Sequence, residues 1–200
     1  MGDNTIDKSK SFFVGDAIGR KGDFSNSDKL FAENIGIQYY SPENIFLSTL
    51  QFTISLPDIN PNNKIIIMMG YPGSGKTSVA KSICKNNNFI HINSDDFKSN
   101  TNKMIKYAIK HINNNKSIIF DATNSSIKKR AMYINLSNTY NYEVICIHLT
   151  TKLSICFKYN KLREIPIPKI AYSVYNKYFE EPTESEGFKL HTIELFNNVI

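Results

Sequence analysis

A glycine-rich segment at residues 70–77 carries the most specific chemical signal in this chain. It fits the pattern G-x-x-x-x-G-K-[ST] and directly follows an apolar run at residues 65–69. In such a loop the glycines let backbone N–H groups point at a phosphate, the lysine reaches the β- and γ-phosphates, and the threonine hydroxyl ligates Mg²⁺. The segment therefore predicts binding of ATP or GTP, through Gly70, Tyr71, Pro72, Gly73, Ser74, Gly75, Lys76, Thr77 and Ser78.

Carboxylates at two later positions could complete a site for phosphoryl transfer. A kinase needs a carboxylate near the acceptor hydroxyl and cations around the transferred phosphoryl group. Asp95 or Asp96 would supply the carboxylate, unless the pair caps a helix or lies in a solvated loop. Asp121 ends another apolar run, as a Walker B aspartate does. There it would hold Mg²⁺ through water or only cap the next helix.

A basic segment at residues 158–163 is the candidate source of the cations. It would lie at a helix end after the fourth predicted strand, where a lid could fold over the nucleotide. The alternative is a solvated basic face. The net charge of the whole chain is +6 at pH 7. That charge favours the approach of a phosphate-rich partner without identifying one.

Strand and helix patterns alternate from residue 65 onward, which predicts an α/β fold of the P-loop NTPase type. The sheet would be parallel, with helices on both faces and ligands outside the carboxyl ends of its strands. The candidate residues above cluster at those ends. The predicted strands cover residues 65–69, 89–92, 117–121 and 143–149, and the predicted helices cover residues 76–86, 101–113, 126–139 and 151–162.

The residues before this alternation predict a short α/β fragment. A strand is expected at residues 11–14, a helix at 27–34, a strand at 37–40 and a short helix opening at 41–43. Ser25 or Ser27 would cap the first helix and Gly36 would stop it. Two prolines without periodicity then predict a linker. The expected organisation is a fragment at residues 1–52, a linker at 53–63 and a P-loop domain at 64–200.

Composition argues for a folded intracellular protein. The 200 residues are 41% hydrophobic, enough for one sizeable core. No run of about 18 apolar residues and no signal-peptide pattern occurs, so we expect neither membrane insertion nor secretion. The three cysteines lack C-x-x-C spacing. They are expected to be reduced thiols with packing roles.

Several ordered motifs resemble the polynucleotide kinase/3'-phosphatase family from about residue 6 to residue 188. They lie at residues 89–95, 121–124 and 167–188, in the family's order. The resemblance implies an ATP- and Mg²⁺-dependent kinase that acts on 5'-hydroxyl ends of DNA or RNA. It also implies that Asp95 is the general base and that Arg163 clamps the nucleotide phosphates. The further residues it implies for substrate binding are Asp95, Lys98, Asn124 and Arg130.

The chain departs from the family pattern at three positions. Ser94 stands where members often carry arginine, Lys98 replaces another frequent polar or basic residue, and Lys161 stands where a second lid arginine is common. Lysine keeps the positive charge but lacks the planar fork of guanidinium. Substrate preference is therefore predicted less firmly than nucleotide binding.

The first fifty residues resemble the last motif of a haloacid-dehalogenase-type 3'-phosphatase domain. Residues 12–20 and 23–28 carry this resemblance, which implies that Asp16 is a metal-binding residue. Such a phosphatase needs an Asp-x-Asp-Gly-Thr segment for its nucleophile, and the chain contains no Asp-x-Asp sequence. We therefore expect an inactive phosphatase remnant, or one completed by a separate chain. The alternative is a segment that only docks on the kinase.

The sequence thus predicts a 5'-hydroxyl polynucleotide kinase with an incomplete phosphatase half. One alternative is a P-loop kinase for a small hydroxylated metabolite. Another is a fragment without catalytic activity that binds nucleic-acid ends or a partner. The joint presence of Lys76, Thr77 and Asp95 argues against loss of activity.

Overall fold

The structure, a computed structural model, describes residues 7–20, 23–42, 59–85, 88–163 and 165–194. The chain divides between residues 53 and 54 into two compact units. The larger unit contains the predicted phosphate loop and is described first.

A five-stranded parallel sheet forms the larger unit, as the alternation of patterns predicts. Its strands are β3 (Lys64–Gly70), β4 (Phe89–Asn93), β5 (Ser117–Asp121), β6 (Glu143–Leu149) and β7 (Lys189–Ile193). Their order in the sheet is β4-β5-β3-β6-β7, so β3, which leads into the phosphate loop, lies in the centre. This strand is almost fully buried, because parallel neighbours cover both edges and helices cover both faces.

In the described part of the chain, the helices that accompany the sheet are α2 (Lys76–Cys84), α3 (Thr101–Ile112), α4 (Ile127–Tyr140), α5 (Leu153–Lys161) and α6 (Ile170–Lys177), and short 3₁₀ helices cover Ser94–Phe97 and Glu184–Glu186. The alternation along β3 separates the two faces of the sheet. Ile65, Ile67 and Met69 join a core cluster with residues of α3 and α4, whereas Ile66 and Met68 point to the opposite face.

Two of these elements were not predicted. Neither α6 nor β7 has a counterpart among the expected elements, which end at residue 162. Among the described residues, β7 pairs with β6 alone and forms an edge of the sheet. Its sequence therefore mixes polar and apolar residues and lacks the continuous apolar run of a central strand.

Side-chain caps define where α3 and α4 begin. The Asn100 side chain accepts a hydrogen bond from the N–H of Lys103, and that of Ser126 accepts one from the N–H of Lys129. Asp95, Asp96 and Asp121 therefore do not cap these helices. This removes helix capping as the alternative interpretation of each.

In the part of the smaller unit that the structure describes, a helix connects a pair of parallel strands. Strand β1 (Phe12–Val14) pairs with β2 (Gln38–Tyr40), and α1 (Ser27–Ile35) connects them. Gly36 ends α1 at φ +70°, as predicted. The predicted cap was wrong: Asn26 occupies the N-cap position, and the hydroxyls of Ser25 and Ser27 bond to each other at 2.9 Å. The short helix predicted to open at residues 41–43 and the start of the predicted linker fall largely outside the described residues.

The cysteines have the packing environments expected of them. All three are free thiols, and Cys146 and Cys156 are buried. Burial raises the pKa of the Cys146 thiol to about 12 and that of the Cys156 thiol to about 11, so neither is a reactive thiolate at neutral pH. Among the described residues, no helix is both long and apolar enough to cross a membrane.

Candidate active site

The phosphate loop joins β3 to α2 in a conformation that requires glycine. Gly70 and Gly73 have φ values of +144° and +76°. A Cβ atom at Gly70 would lie 2.7 Å from the carbonyl oxygen of Leu149, and one at Gly73 would lie 2.4 Å from that of Cys156. Both contacts are with backbone atoms that cannot simply rotate away. The glycine pattern therefore reflects both the curl of the loop and its close approach to β6 and α5.

Lys76 lies at the start of α2 with its ammonium group folded into the loop. Its Nζ donates to the carbonyl oxygen of Gly70 at 3.0 Å and to that of Tyr71. Only 8% of the residue is exposed. Burial is the main cause that lowers the pKa of Lys76 to about 8, although the nearby Asp121 carboxylate opposes the shift. The site thus holds a cation that a polyphosphate would stabilise.

We expect the affinity for ATP to fall as the pH rises above about 8. Free Lys76 loses its proton around that pH, whereas bound phosphate would raise the pKa and hold the proton. Binding between pH 8 and 9 should therefore take up a proton. Isothermal titration calorimetry in two buffers of different ionisation enthalpy measures this uptake. The same uptake by Lys76→Ala would show that another group is responsible.

Thr77 and Asp121 meet beside the loop, 44 residues apart in sequence. The Thr77 Oγ1 donates to Asp121 Oδ2 at 2.7 Å, and His91 Nε2 lies 3.0 Å from the same oxygen. Asp121 is 3% exposed. A hydroxyl and a carboxylate are oxygen ligands of the kind that Mg²⁺ prefers, so this pair fits the metal that the sequence predicts. The role of His91 was missed, because its partner lies on the neighbouring strand.

Asp95 and Arg163 lie together at the mouth of the site. Arg163 Nη2 donates to Asp95 Oδ2 at 3.1 Å, and the Asp95 side chain remains 59% exposed. Asp95 belongs to the 3₁₀ helix after β4, whose N-cap is the Asn93 side chain. Asp96, on the same short helix, is exposed. The structure thus brings the candidate base and the candidate lid arginine into contact.

The Asn160 side chain holds the backbone of Ile167, three residues before α6. It donates from Nδ2 to the carbonyl oxygen of Ile167 and accepts from the Ile167 N–H, both at 2.8 Å. Asn160 is buried near the end of α5. This pair of bonds ties Ile167, which lines the cleft, to α5.

A cleft of about 970 Å³ opens next to Asp95. Its walls are the 3₁₀ helix after β4, the start of α3, the loop at residues 122–126 and helix α6. Lys128 and Lys129 contribute to the wall, and so does Tyr178, whose side chain is half exposed. Pro72 of the phosphate loop also lines it. The cleft therefore extends from the loop outward and is the natural place for an acceptor molecule.

Asn124 lies at the inner wall of this cleft. Its Nδ2 donates to the carbonyl oxygen of Met68 at 2.8 Å, which ties the loop after β5 to β3. Its Oδ1 is buried and has no hydrogen-bond partner in the described part of the chain. A buried acceptor without a partner is costly. Asn124 therefore remains a candidate for contact with an acceptor hydroxyl. Lys98, another candidate substrate residue, is exposed directly after the 3₁₀ helix at φ +51°.

The structure corrects the role expected for Arg130. Its side chain is fully buried and makes a two-pronged ion pair with Glu186, at 2.8 and 2.7 Å. Its Nη1 donates to the carbonyl oxygens of Asn124 and Ser125 at 3.2 and 3.3 Å. Its donors are directed inward, so Arg130 does not reach a substrate here. It supports the loop that lines the cleft.

We expect Glu186→Gln to destabilise the fold by about 3–5 kcal/mol, because it leaves the buried Arg130 charge without its partner. Glu143→Gln is the matched control, since Glu143 pairs with Lys64 and Lys189 but is 39% exposed. The control should cost about 1 kcal/mol or less. Urea unfolding monitored by circular dichroism compares the two variants. Equal losses of unfolding free energy would mean that the buried Arg130–Glu186 pair stabilises the fold no more than the exposed pairs of Glu143 do.

Two further contacts around the cleft were not predicted. Glu180 Oε2 accepts from the N–H of Ile127 at 2.8 Å and so places a negative charge at the start of α4. The Tyr71 ring packs against that of Tyr175 at 4.3 Å, and its hydroxyl donates to Asn176. The Glu180 contact attaches the segment after α6 to α4, and the Tyr71 contacts attach α6 to the phosphate loop.

In the smaller unit, the motif around Asp16 forms a compact turn. Asp28 Oδ2 accepts from the N–H of Ala17 at 3.0 Å, and a Cβ atom at Gly15 would lie 2.4 Å from the same oxygen. Asp16 is exposed, and its carbonyl oxygen accepts from Arg20 Nη2 at 3.1 Å. The metal-binding role of Asp16 stays a prediction.

The sheet and its loop define an α/β P-loop fold of the kind found in nucleotide-dependent kinases. Residues 65–104 match the family described as AAA domain. The crystal structure of Chaetomium thermophilum Kti12 in complex with ADP-AlF3 has the same fold, with a TM-score of 0.53. It is 14% identical and aligns with 65% of this chain and 88% of its own. The predicted fold class is thereby confirmed.

Sequence similarity then relates the chain to polynucleotide phosphatase/kinases. Residues 1–46 match the family described as Polynucleotide kinase 3 phosphatase. A bifunctional polynucleotide phosphatase/kinase of Schizosaccharomyces pombe is 31% identical over 92% of this chain. A relative from Acanthamoeba polyphaga mimivirus is 32% identical over 94% of this chain. The resemblance is therefore confirmed: the chain is a homologue of the bifunctional polynucleotide phosphatase/kinases. It spans about half the length of these relatives, 51% and 56% respectively.

Proposed function

We propose that this chain transfers the γ-phosphate of ATP to the 5'-hydroxyl end of a polynucleotide. The observation that carries the proposal is the position of Asp95, at the mouth of the cleft and in contact with Arg163. Together with Lys76 in the phosphate loop, this arrangement provides a base, a phosphate-binding cation and space for the acceptor. The similarity to polynucleotide phosphatase/kinases supports the choice of acceptor.

Transfer in this site would depend on positioning and charge. Lys76 and the N–H groups of the loop hold the β- and γ-phosphates, and Asp95 accepts the proton of the attacking hydroxyl. Arg163 leaves Asp95 to neutralise charge on the transferred phosphoryl group. Thr77 and Asp121 would hold Mg²⁺, which neutralises phosphate charge when bound.

The lining of the cleft favours a polynucleotide over a small metabolite. Its volume of about 970 Å³ has room for the terminal nucleotide. The exposed ring of Tyr178 offers a surface on which a base can stack. Lys128 and Lys129 add positive charge to the lining of the cleft.

We propose that the smaller unit does not by itself remove 3' phosphates. The chain contains no Asp-x-Asp segment to supply a nucleophile. The partner that we propose for this unit is a separate chain that carries the missing segment.

Competition between acceptors tests the proposed function. Purified chain is incubated with labelled ATP, Mg²⁺ and equal concentrations of a 5'-hydroxyl oligonucleotide, a nucleoside and a sugar. We expect label only in the oligonucleotide. Preferential labelling of the nucleoside or sugar would favour a metabolite kinase. Binding of the oligonucleotide without any transfer would favour a protein that only binds nucleic-acid ends.

A further inference from the structure

A row of exposed lysines runs along α3, starting next to the cleft. Lys103, Lys106 and Lys110 are separated by three and four residues and so lie on one side of the helix. All three are exposed, and so is Tyr107 between them, at 39%. We call these four residues the lysine stripe. It spans about 10 Å along the helix.

The charge of the stripe is not balanced by neighbouring acids. Helix α3 contains no aspartate or glutamate. Within the described ranges, none of the three lysines makes a salt bridge. Like charges three and four residues apart weaken an isolated helix. The stripe is therefore an unpaired positive surface that carries some cost to the fold, and a bound anion would offset it.

The stripe is continuous with the candidate active site. Thr101 and Asn102, at the start of α3, line the cleft. The Tyr107 ring packs at 5.4 Å from that of Phe97, which belongs to the same 3₁₀ helix as Asp95. A strand that leaves the cleft in this direction would pass directly over the lysines.

We propose that the lysine stripe binds the phosphate backbone of the substrate strand, on the 3' side of the nucleotide that enters the cleft. This inference rests on the proposed function. Lysines contact phosphates without reading base sequence. The stripe therefore extends the footprint without selecting a sequence, and it makes longer acceptors better substrates.

The test compares a dinucleotide with a 12-nucleotide acceptor, both with 5'-hydroxyl ends. The variant is Lys106→Gln/Lys110→Gln. The control is Lys81→Gln/Lys85→Gln, which removes the same charge from α2 on the opposite face of the sheet. We expect the variant to raise KM for the long acceptor only, with kcat unchanged. The slope of log KM against log salt concentration should be smaller by about 1.4 in the variant. Between 50 and 200 mM salt, the KM of the variant for the long acceptor should therefore rise by a factor about sevenfold smaller than that of the unmodified chain.

The possible results separate this inference from the proposed function. A variant whose KM and salt slope match those of the control would overturn the role of the stripe while transfer itself stands. An equal loss on the dinucleotide and the long acceptor would also overturn it, because the defect would then lie in the fold or the active site. Absence of transfer from the unmodified chain to either acceptor would refute both.

Discussion

Lys76→Ala is expected to lower the turnover of phosphoryl transfer by about 10²–10³-fold or more while leaving the fold intact. The Lys76 ammonium group is fixed in the loop by the carbonyl oxygens of Gly70 and Tyr71. Its charge becomes more important as the γ-phosphoryl group departs, so its loss weakens the transition state more than the ground state. Steady-state kinetics with labelled ATP measures the effect.

Lys81→Ala is the control for this substitution. Lys81 lies on the same helix but is exposed and outside the loop. It should change neither turnover nor melting temperature appreciably. Normal turnover by a folded Lys76→Ala variant would remove Lys76 from the catalytic machinery.

Asp95→Asn is expected to lower transfer by about 10²–10⁴-fold, the usual contribution of a general base. The affinity for ATP should stay nearly the same, because asparagine can still accept a hydrogen bond from Arg163. Asp96→Asn is the matched control. It changes the adjacent exposed residue in the same way and should have a much milder effect.

The ranking of these two variants decides which aspartate is the base. Turnover and ATP affinity are measured separately, so a loss of binding is not mistaken for a loss of chemistry. The reverse ranking would assign the base to Asp96. Equal, small effects would leave neither aspartate as the base.

Features that depend on local pattern could be predicted from the sequence. The phosphate loop, the strands β3 to β6 and the helices between them follow from glycine positions and apolar periodicity. The stop of α1 at Gly36 follows from a single residue that tolerates positive φ. In each case the residues concerned are neighbours in the chain.

Features that depend on distant contacts could not be predicted in this way. Arg130 and its partner Glu186 are 56 residues apart, and His91 and Asp121 are 30 apart. Sequence similarity marked Arg130 and Glu186, but only the fold shows that they neutralise each other in the core. The edge strand β7 escaped prediction for a related reason, since its pairing with β6 is its main structural support.

End labelling of a matched pair of oligonucleotides tests the central claim most directly. One oligonucleotide carries a 5'-hydroxyl and the other a 5'-phosphate, and both are incubated with the purified chain, Mg²⁺ and γ-labelled ATP. The account predicts label at the 5' end of the hydroxyl form and none on the phosphorylated form. Equal labelling of both forms, or label at any other position, would contradict it.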